Sequence, residues 1–204
     1  MRVTICNSPP QSGKDAFVQY LAQKHQDVLH LEFKTKLIAL TKEIYFIDDE
    51  QWDSIYTNEL KDIPMALFEN KSPRQALIYV SEKVIKPKFG KDYFGKAAAH
   101  SLCEDKINMF SDGGFYDEMK VVVDACGTDN AFILDFQREG KDFKKDSRGY
   151  VNIKNVQRFS FNNNGTLEDL YEFADGYYEI VKHSTPTVQQ LSEIADQIYS
   201  KRKR

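Results

Sequence analysis

Apolar residues recur along the chain in two rhythms. Short, mainly apolar runs at 3–6, 28–31, 107–110, 131–134 and 156–161 are bounded by polar or turn residues and predict five core strands. Between them the spacing becomes helical. Phe17, Tyr20 and Leu21 form one face behind the first run, and Leu37, Leu40 and Ile44 form another within a mainly helical stretch from 33 to about 100. In that stretch, 48–62 is polar and predicts a loop with short helical turns. Ser72-Pro73-Arg74-Gln75 then opens a helix, with Ser72 as cap, Pro73 at the first helical position and Gln75 closing a capping box ahead of Leu77, Val80 and Val84. A turn at 89–94 leads into a helix containing 97–102. Further helices are predicted at 118–125 on Met119, Val122 and Val123, from Thr166, and at 187–199 on Val188, Leu191, Ile194 and Ile198. Residues 138–148 are charged and nearly without apolar positions.

Strands alternating with helices predict a mainly parallel sheet covered on both faces, with ligands bound beyond the carboxyl ends of its strands. The length of 204 residues fits one such domain, and an apolar fraction of 41% supplies its core. A net charge of −3 argues against a general nucleic-acid surface. The only basic cluster is Lys201-Arg202-Lys203-Arg204, read as a solvated helix end. Cys6, Cys103 and Cys126 lack metal-ligand spacing and read as reduced thiols. No apolar run approaches the roughly 20 residues of a membrane span, and no signal peptide precedes the first strand, so a cytoplasmic protein without a membrane partner is expected.

The chemistry begins at Asn7-Ser8-Pro9-Pro10-Gln11-Ser12-Gly13-Lys14-Asp15, between the first strand and a helix. In that setting Gly-Lys reads as a phosphate-binding loop. The amides of Ser12, Gly13, Lys14 and Asp15 form a cradle, and the Lys14 ammonium reaches the outer phosphates. Ser8 stands where the first glycine of the pattern belongs, and Asp15 where a hydroxyl usually meets magnesium. A plain strand, turn and helix with a solvated lysine is the alternative reading. Asp112, at the end of the third strand, can hold magnesium or cap a helix, and Gly113 and Gly114 permit close approach beside it. Arginines in 138–148 can close over phosphates as a lid does, or the segment is a solvated loop. Arg74 suits a phosphate dianion, although taken alone it is an ordinary surface arginine; Lys34 and Lys36 can help hold an acceptor. Phe89, Tyr93 and Phe94 can stack on a base, while core packing accounts for at least two of them.

With these residues in view, the chain resembles the phage deoxynucleoside monophosphate kinases, a branch of the P-loop nucleotide kinases. The resemblance runs from the first strand to about residue 169. It is carried by Ser12-Gly13-Lys14-Asp15, Glu32-Phe33-Lys34, Lys61-Asp62-Ile63-Pro64, Ser72-Pro73-Arg74-Gln75-Ala76-Leu77 and Gly90-Lys91-Asp92-Tyr93-Phe94. Ser111-Asp112-Gly113-Gly114-Phe115-Tyr116-Asp117-Glu118, Arg138-Glu139-Gly140, Asp146-Ser147-Arg148-Gly149-Tyr150 and Asn163-Asn164-Gly165-Thr166-Leu167 follow in order. It implies a three-layer α/β P-loop NTPase fold with a mainly parallel five-stranded sheet: core at 1–33, 103–136 and 151–204, a helical acceptor-binding region at 34–102, and a lid at 137–150. It implies ATP and Mg2+ as cofactors and a (deoxy)nucleoside monophosphate as partner. No nucleic-acid polymer is expected, a homodimer is left open, and the location would be the host cytoplasm for a phage-encoded chain. By motif, Lys14 would hold the donor phosphates, and Arg74 the acceptor with Lys34, Lys36, Asp92 and Tyr93. Asp112 would act near magnesium, Arg138 and Arg148 would steady the migrating phosphoryl group, and Asn163 would lie near the adenine. Two departures stand out: Gly114 occupies the place of a family arginine, and Ala16 that of a threonine.

Three functions fit these residues. The leading one is a nucleotide kinase acting on a (deoxy)nucleoside monophosphate. The second keeps the donor site and changes the acceptor to another phosphate-bearing small metabolite. The third is a degenerate P-loop module that binds nucleotide without turnover and serves regulation or interaction.

Overall fold

Alternation within the strands decides which helices cover each face of the sheet. In β1 (Arg2–Cys6), Val3 and Ile5 point to one side, where they meet Met119, Val122 and Val123 of a helix at Tyr116–Cys126. Cys6 points to the other side, against Phe17, Leu21, Phe173 and Tyr177. The same split recurs in β4 (Ala131–Gln137): Ala131 and Ile133 face the first layer, and Phe132, Leu134 and Phe136 the second. Six of the seven β4 residues are buried, as expected of a parallel strand covered twice.

The computed structural model describes residues 1–144 and 146–202. Among them, five strands pair entirely in parallel. With β2 (Val28–Leu31), β3 (Ile107–Phe110) and β5 (Gln157–Asn162), the spatial order is β2-β3-β1-β4-β5. The five predicted runs are therefore the five strands. The result is a three-layer α/β fold with the glycine–lysine loop leaving its central strand. Helices α1 (Lys14–Lys24), α8 (Leu167–Val181) and α9 (Val188–Arg202) cover one face; α6 (Tyr93–Ala99) and α7 (Tyr116–Cys126) lie on the other. The chain leaves β1 toward β2 and leaves β3 toward β4, in opposite directions across the sheet. This makes the crevice between the ends of β1 and β3 the switch point where such sheets bind ligands.

Between β2 and β3 the chain is helical: α2 (Lys34–Tyr45), α3 (Asp49–Ile55), α4 (Pro73–Tyr79), a π-helical turn (Val80–Ile85), α5 (Lys86–Phe89) and α6. The capping box at Ser72 forms as predicted, with Ser72 Oγ accepting from Gln75 N at 3.2 Å and Gln75 Oε1 accepting from Ser72 N at 2.9 Å. Four details differ from the periodicity. Ile44 is exposed because a left-handed turn at Phe46 ends α2 and lets Ile47 take the buried place. Residues 49–55 are a regular helix, not a loop, since Asp48 and Gln51 form a second capping box. Helix α6 stops at Ala99, short of the expected 102. Val188 is exposed, while Leu191 and Ile198 carry the packing of α9.

Among the described residues no helix is long and apolar enough to cross a membrane. Cys6, Cys103 and Cys126 are free thiols. At the basic end, Lys201 pairs with Glu172, and Arg202 with Asp169 at 2.9 Å. Lys203 and Arg204 lie outside the described residues, as does Lys145 of the charged segment.

Candidate functional site

The loop after β1 is held on three sides. Asn7 donates its Nδ2 to the carbonyls of Gly113 (3.2 Å) and Gly149 (2.8 Å), and its Oδ1 accepts from Val151 N at 2.6 Å. Ser8 is buried, and its hydroxyl accepts from Phe136 N at 2.7 Å. A glycine there would leave the Phe136 amide unpartnered, which explains the departure at Ser8. The loop turns through left-handed backbone at Gln11 and at Gly13, which has φ of 107°. A Cβ at Gly13 would also lie 2.2 Å from Asn163 Nδ2, so that position takes glycine for two reasons. Helix α1 then begins at Lys14 with no side chain capping its first turn. Lys14 is folded inward: its ammonium donates to Pro9 O at 3.2 Å and stands 3.4 Å from Asp15, with the side chain only 4% exposed.

Lys14 and Asp15 line a cavity of about 940 Å³ above the ends of β1 and β3, near the top of the roughly 300–1,000 Å³ range of ligand sites. Opposite them stands Asp112, on the loop leaving β3. Its Oδ1 accepts from Phe33 N (2.8 Å) and its Oδ2 from Lys34 N (3.1 Å), so the carboxylate caps α2 from across the sheet. Burial pushes the Asp112 carboxyl up; the Lys34 ammonium and the two amides offset part of that rise. For Lys34 burial works against its charge, but the carboxylates of Glu32 and Asp112 outweigh it and raise its pKa.

The charged segment between β4 and β5 folds over this mouth. Lys141 donates to Gln11 Oε1 at 2.7 Å, and Gly149 N to Gly114 O at 3.2 Å, tying the segment to both strand-end loops. Arg148 is held by Asp146 through Nε (3.0 Å) and Nη2 (2.7 Å). Its side chain runs directly over Gly114. A Cβ at Gly114 would meet Arg148 Cβ, Cγ and Cδ at 2.6–2.7 Å. The arginine missing from the strand end is thus matched by one from the lid segment, crossing the space that Gly114 leaves open.

The helical region supplies the facing wall. Arg74 lines the cavity, paired with Asp62 through Nε (2.6 Å) and Nη2 (3.3 Å). Lys34, Lys61 and Tyr56 line it too. Burial, reinforced by the Arg74 charge, lowers the Lys61 pKa. Both guanidinium groups at this mouth therefore rest on aspartates in preformed ion pairs, geometry that a phosphate dianion can take over.

On the wall made by α4, the π-helical turn, α6 and α7 the lining is more apolar, with Leu77, Ile78, Phe94 and Phe115, and with Ser81, Glu82 and Glu118 among them. Glu118 is buried; burial pushes its carboxyl from 4.5 to about 7 despite Lys86, whose ammonium lies 3.1 Å away. In the sequence this residue stands only at the end of the stretch from Ser111 and at a helix start, with no role at the site. The available signal is that Glu118 lies four positions before Val122, on the buried face of its helix.

Several expected site residues stand elsewhere. Lys36 is exposed, two positions beyond Lys34 and so turned away on α2. Asp92 pairs with Lys96 at 2.8 Å and borders a separate surface hollow with Lys120; Tyr93 packs between Phe89 and Phe94. It is Phe94 that reaches the cavity. Arg138 is exposed and outside the lining, where Lys141 and Lys144 stand instead. Asn163 is buried behind the loop, its Nδ2 donating to Ser12 O at 2.8 Å, so it supports the cradle from below. Ser12 is itself buried, with its hydroxyl lacking a partner among the described residues.

No cluster of three or more His, Cys, Asp or Glu among the described residues forms a metal cage. Asp15 and Asp112, two carboxylates on the lysine's cavity, match the donor set of a magnesium ion held mainly by phosphate oxygens and water.

No family model matches the chain, and no curated protein matches it. Solved structures do. One is an unliganded sugar kinase from Janibacter sp. HTCC2649, 10% identical, whose match covers 91% of this chain and 99% of that one at a TM-score of 0.41. A likeness at that score supports no inference about activity, which rests on the geometry of the cavity alone.

Proposed function

We propose that this chain is a nucleotide kinase that moves the γ-phosphoryl group of ATP to a (deoxy)nucleoside monophosphate. The observation that carries the reading is the convergence of Lys14, Arg74 and Arg148, from the β1 loop, the helical region and the lid segment, on one cavity at the sheet's switch point. Phosphoryl transfer asks a protein chiefly for positioning and charge compensation, and these groups supply both.

In this mechanism Lys14 leaves the Pro9 carbonyl for the outer phosphates of ATP, whose oxygens accept from the amides at the start of α1. Arg74 exchanges Asp62 for the phosphate of the acceptor, and Lys34 and Lys61 add charge beside it. A phosphate oxygen of the acceptor attacks the γ-phosphorus, the bond to the β–γ bridging oxygen breaks, and ADP leaves. Arg148 turns from Asp146 toward the migrating group and spreads its charge, while Lys141 and Gln11 hold the lid segment down against water. Asp15 and Asp112 would hold magnesium, which neutralises the β- and γ-phosphates when bound.

A second reading, nucleotide binding without turnover, is favoured by Asp112, both of whose oxygens already accept helix amides. A coupled ADP-release assay over the ribo- and deoxynucleoside monophosphates separates the two. Release that requires a monophosphate and disappears in Lys14→Ala supports the kinase; tight ATP binding with no release for any acceptor refutes it.

A further inference from the structure

We propose that Ser81, Glu82 and Glu118 read the base of the acceptor, and that they select guanine. The proposal rests on the kinase reading for the identity of the ligand, and on the chemistry of the helical wall of the cavity for the choice among bases.

The cavity is polarised. One side carries Lys14, Lys34, Arg74 and Arg148, with Asp62 and Asp146 already paired to the two arginines, while the helical wall carries the buried Glu118 and Ser81 and the more exposed Glu82 among Leu77, Phe94 and Phe115. A nucleoside monophosphate has that polarity, an anionic phosphate at one end and a flat ring with a hydrogen-bonding edge at the other. That wall is also built rather than incidental. Lys86, behind the wall, holds Glu82 at 2.8 Å and Glu118 at 3.1 Å, and its ammonium lies 4.1 Å from the centre of the Phe115 ring. Ser81 donates to Glu82 at 2.9 Å. Ser81 and Glu82 belong to the π-helical turn, a rare form found frequently at functional sites. Gly95 fixes Glu118 from the other side: a Cβ there would lie 2.5 Å from the Glu118 carbonyl oxygen and 2.7 Å from its Cα, so α6 and α7 meet at this residue with no room to spare.

In the ionised form, which the Lys86 ammonium between them favours for both, the carboxylates only accept hydrogen bonds. They reward a base edge that donates and penalise one that presents carbonyl oxygens or bare ring nitrogens, because two acceptors facing each other leave both unpaired, most severely at the buried Glu118. Among the common bases only guanine offers two adjacent donors, its ring N–H and its exocyclic amine. Thymine and uracil place their single N–H between two carbonyls, and adenine and cytosine place a bare ring nitrogen beside the amine.

The test is kcat/KM for the four bases as monophosphates, in the wild type, Glu118→Gln and Glu82→Gln, with thermal melts to verify folding. The expected result is that guanine ranks first by about tenfold or more, the lower end of what one hydrogen bond to a charged group contributes. Glu118→Gln should lower that advantage by a similar factor through KM, leaving the KM for ATP within about twofold. Another base in first place overturns the proposal, as does a Glu118→Gln variant that weakens all four bases equally. Should the chain bind without turnover, calorimetric titration with GMP and AMP decides the same question. Tighter GMP binding that Glu118→Gln abolishes supports base reading even though the kinase reading has failed, and equal affinities refute it.

Discussion

Replacing Glu118 by glutamine should flatten the pH dependence of stability between pH 5 and pH 8. In the folded chain burial holds this carboxyl near 7, against 4.5 for an ordinary glutamate, with Lys86, Asp112 and Glu82 as the charged neighbours that modify it. Between those two values the native state binds a proton that the unfolded state has released. The group's contribution is therefore complete below pH 4.5 and lost as pH rises through 7. Integrated from pH 5 to pH 8, the loss amounts to about 2.5 kcal/mol, using about 1.4 kcal/mol per pH unit of displacement. Glutamine has the same shape and cannot titrate, so subtracting its profile from that of the wild type isolates this one group. Urea unfolding at half-unit pH steps gives both profiles. The difference, wild type minus variant, should fall by about 2 to 3 kcal/mol across the window, against a total stability on the order of 5–15 kcal/mol for a domain. Parallel profiles would show that Glu118 titrates normally, and would refute its burial against the cavity's apolar wall.

Three further substitutions test the loops around the cavity. Ser8→Gly brings the loop closer to the usual P-loop pattern, yet it should cost about 1–3 kcal/mol in urea unfolding, because the Phe136 amide loses its acceptor in the core. Unchanged stability would show that the departure at Ser8 has no structural cause. Gly114→Ala should displace Arg148 and lower turnover about tenfold or more while nucleotide binding, read by calorimetry, holds within about threefold. Asn7→Ala should cost about 2–3 kcal/mol, since one side chain ties β1 to the loop after β3 and to the end of the lid segment; limited proteolysis should then cut near 138–150 faster than in the wild type.

What the sequence made legible was local. The strands at Val28–Leu31 and Ile107–Phe110 are short apolar runs between polar residues, and both bounds can be read directly. The capping box at Ser72 was equally plain, because it is closed within four residues, and so was the helix start at Thr166. Long-range placement was not. Asn163 meets Ser12 across 151 positions, and nothing in its own neighbourhood distinguishes a residue beneath the loop from one beside a ligand. Arg138 and Arg148 look alike as members of a charged run. Only the fold brings Arg148 over Gly114 and leaves Arg138 outside. Glu118 was obscured for a different reason: a glutamate in the first turn of a helix is ordinary on electrostatic grounds, and its burial follows from the tight packing of Gly95 on α6.

The central claim is transfer between two nucleotides over one cavity, and labelled phosphate tests it most directly. The chain is incubated with ATP labelled in its γ-phosphoryl group, with magnesium and with each nucleoside monophosphate in turn, and the products are separated. Label recovered in a nucleoside diphosphate derived from the added monophosphate, and lost in Lys14→Ala, is the expected result. Label found only in inorganic phosphate, or left in ATP for every acceptor, would contradict the account.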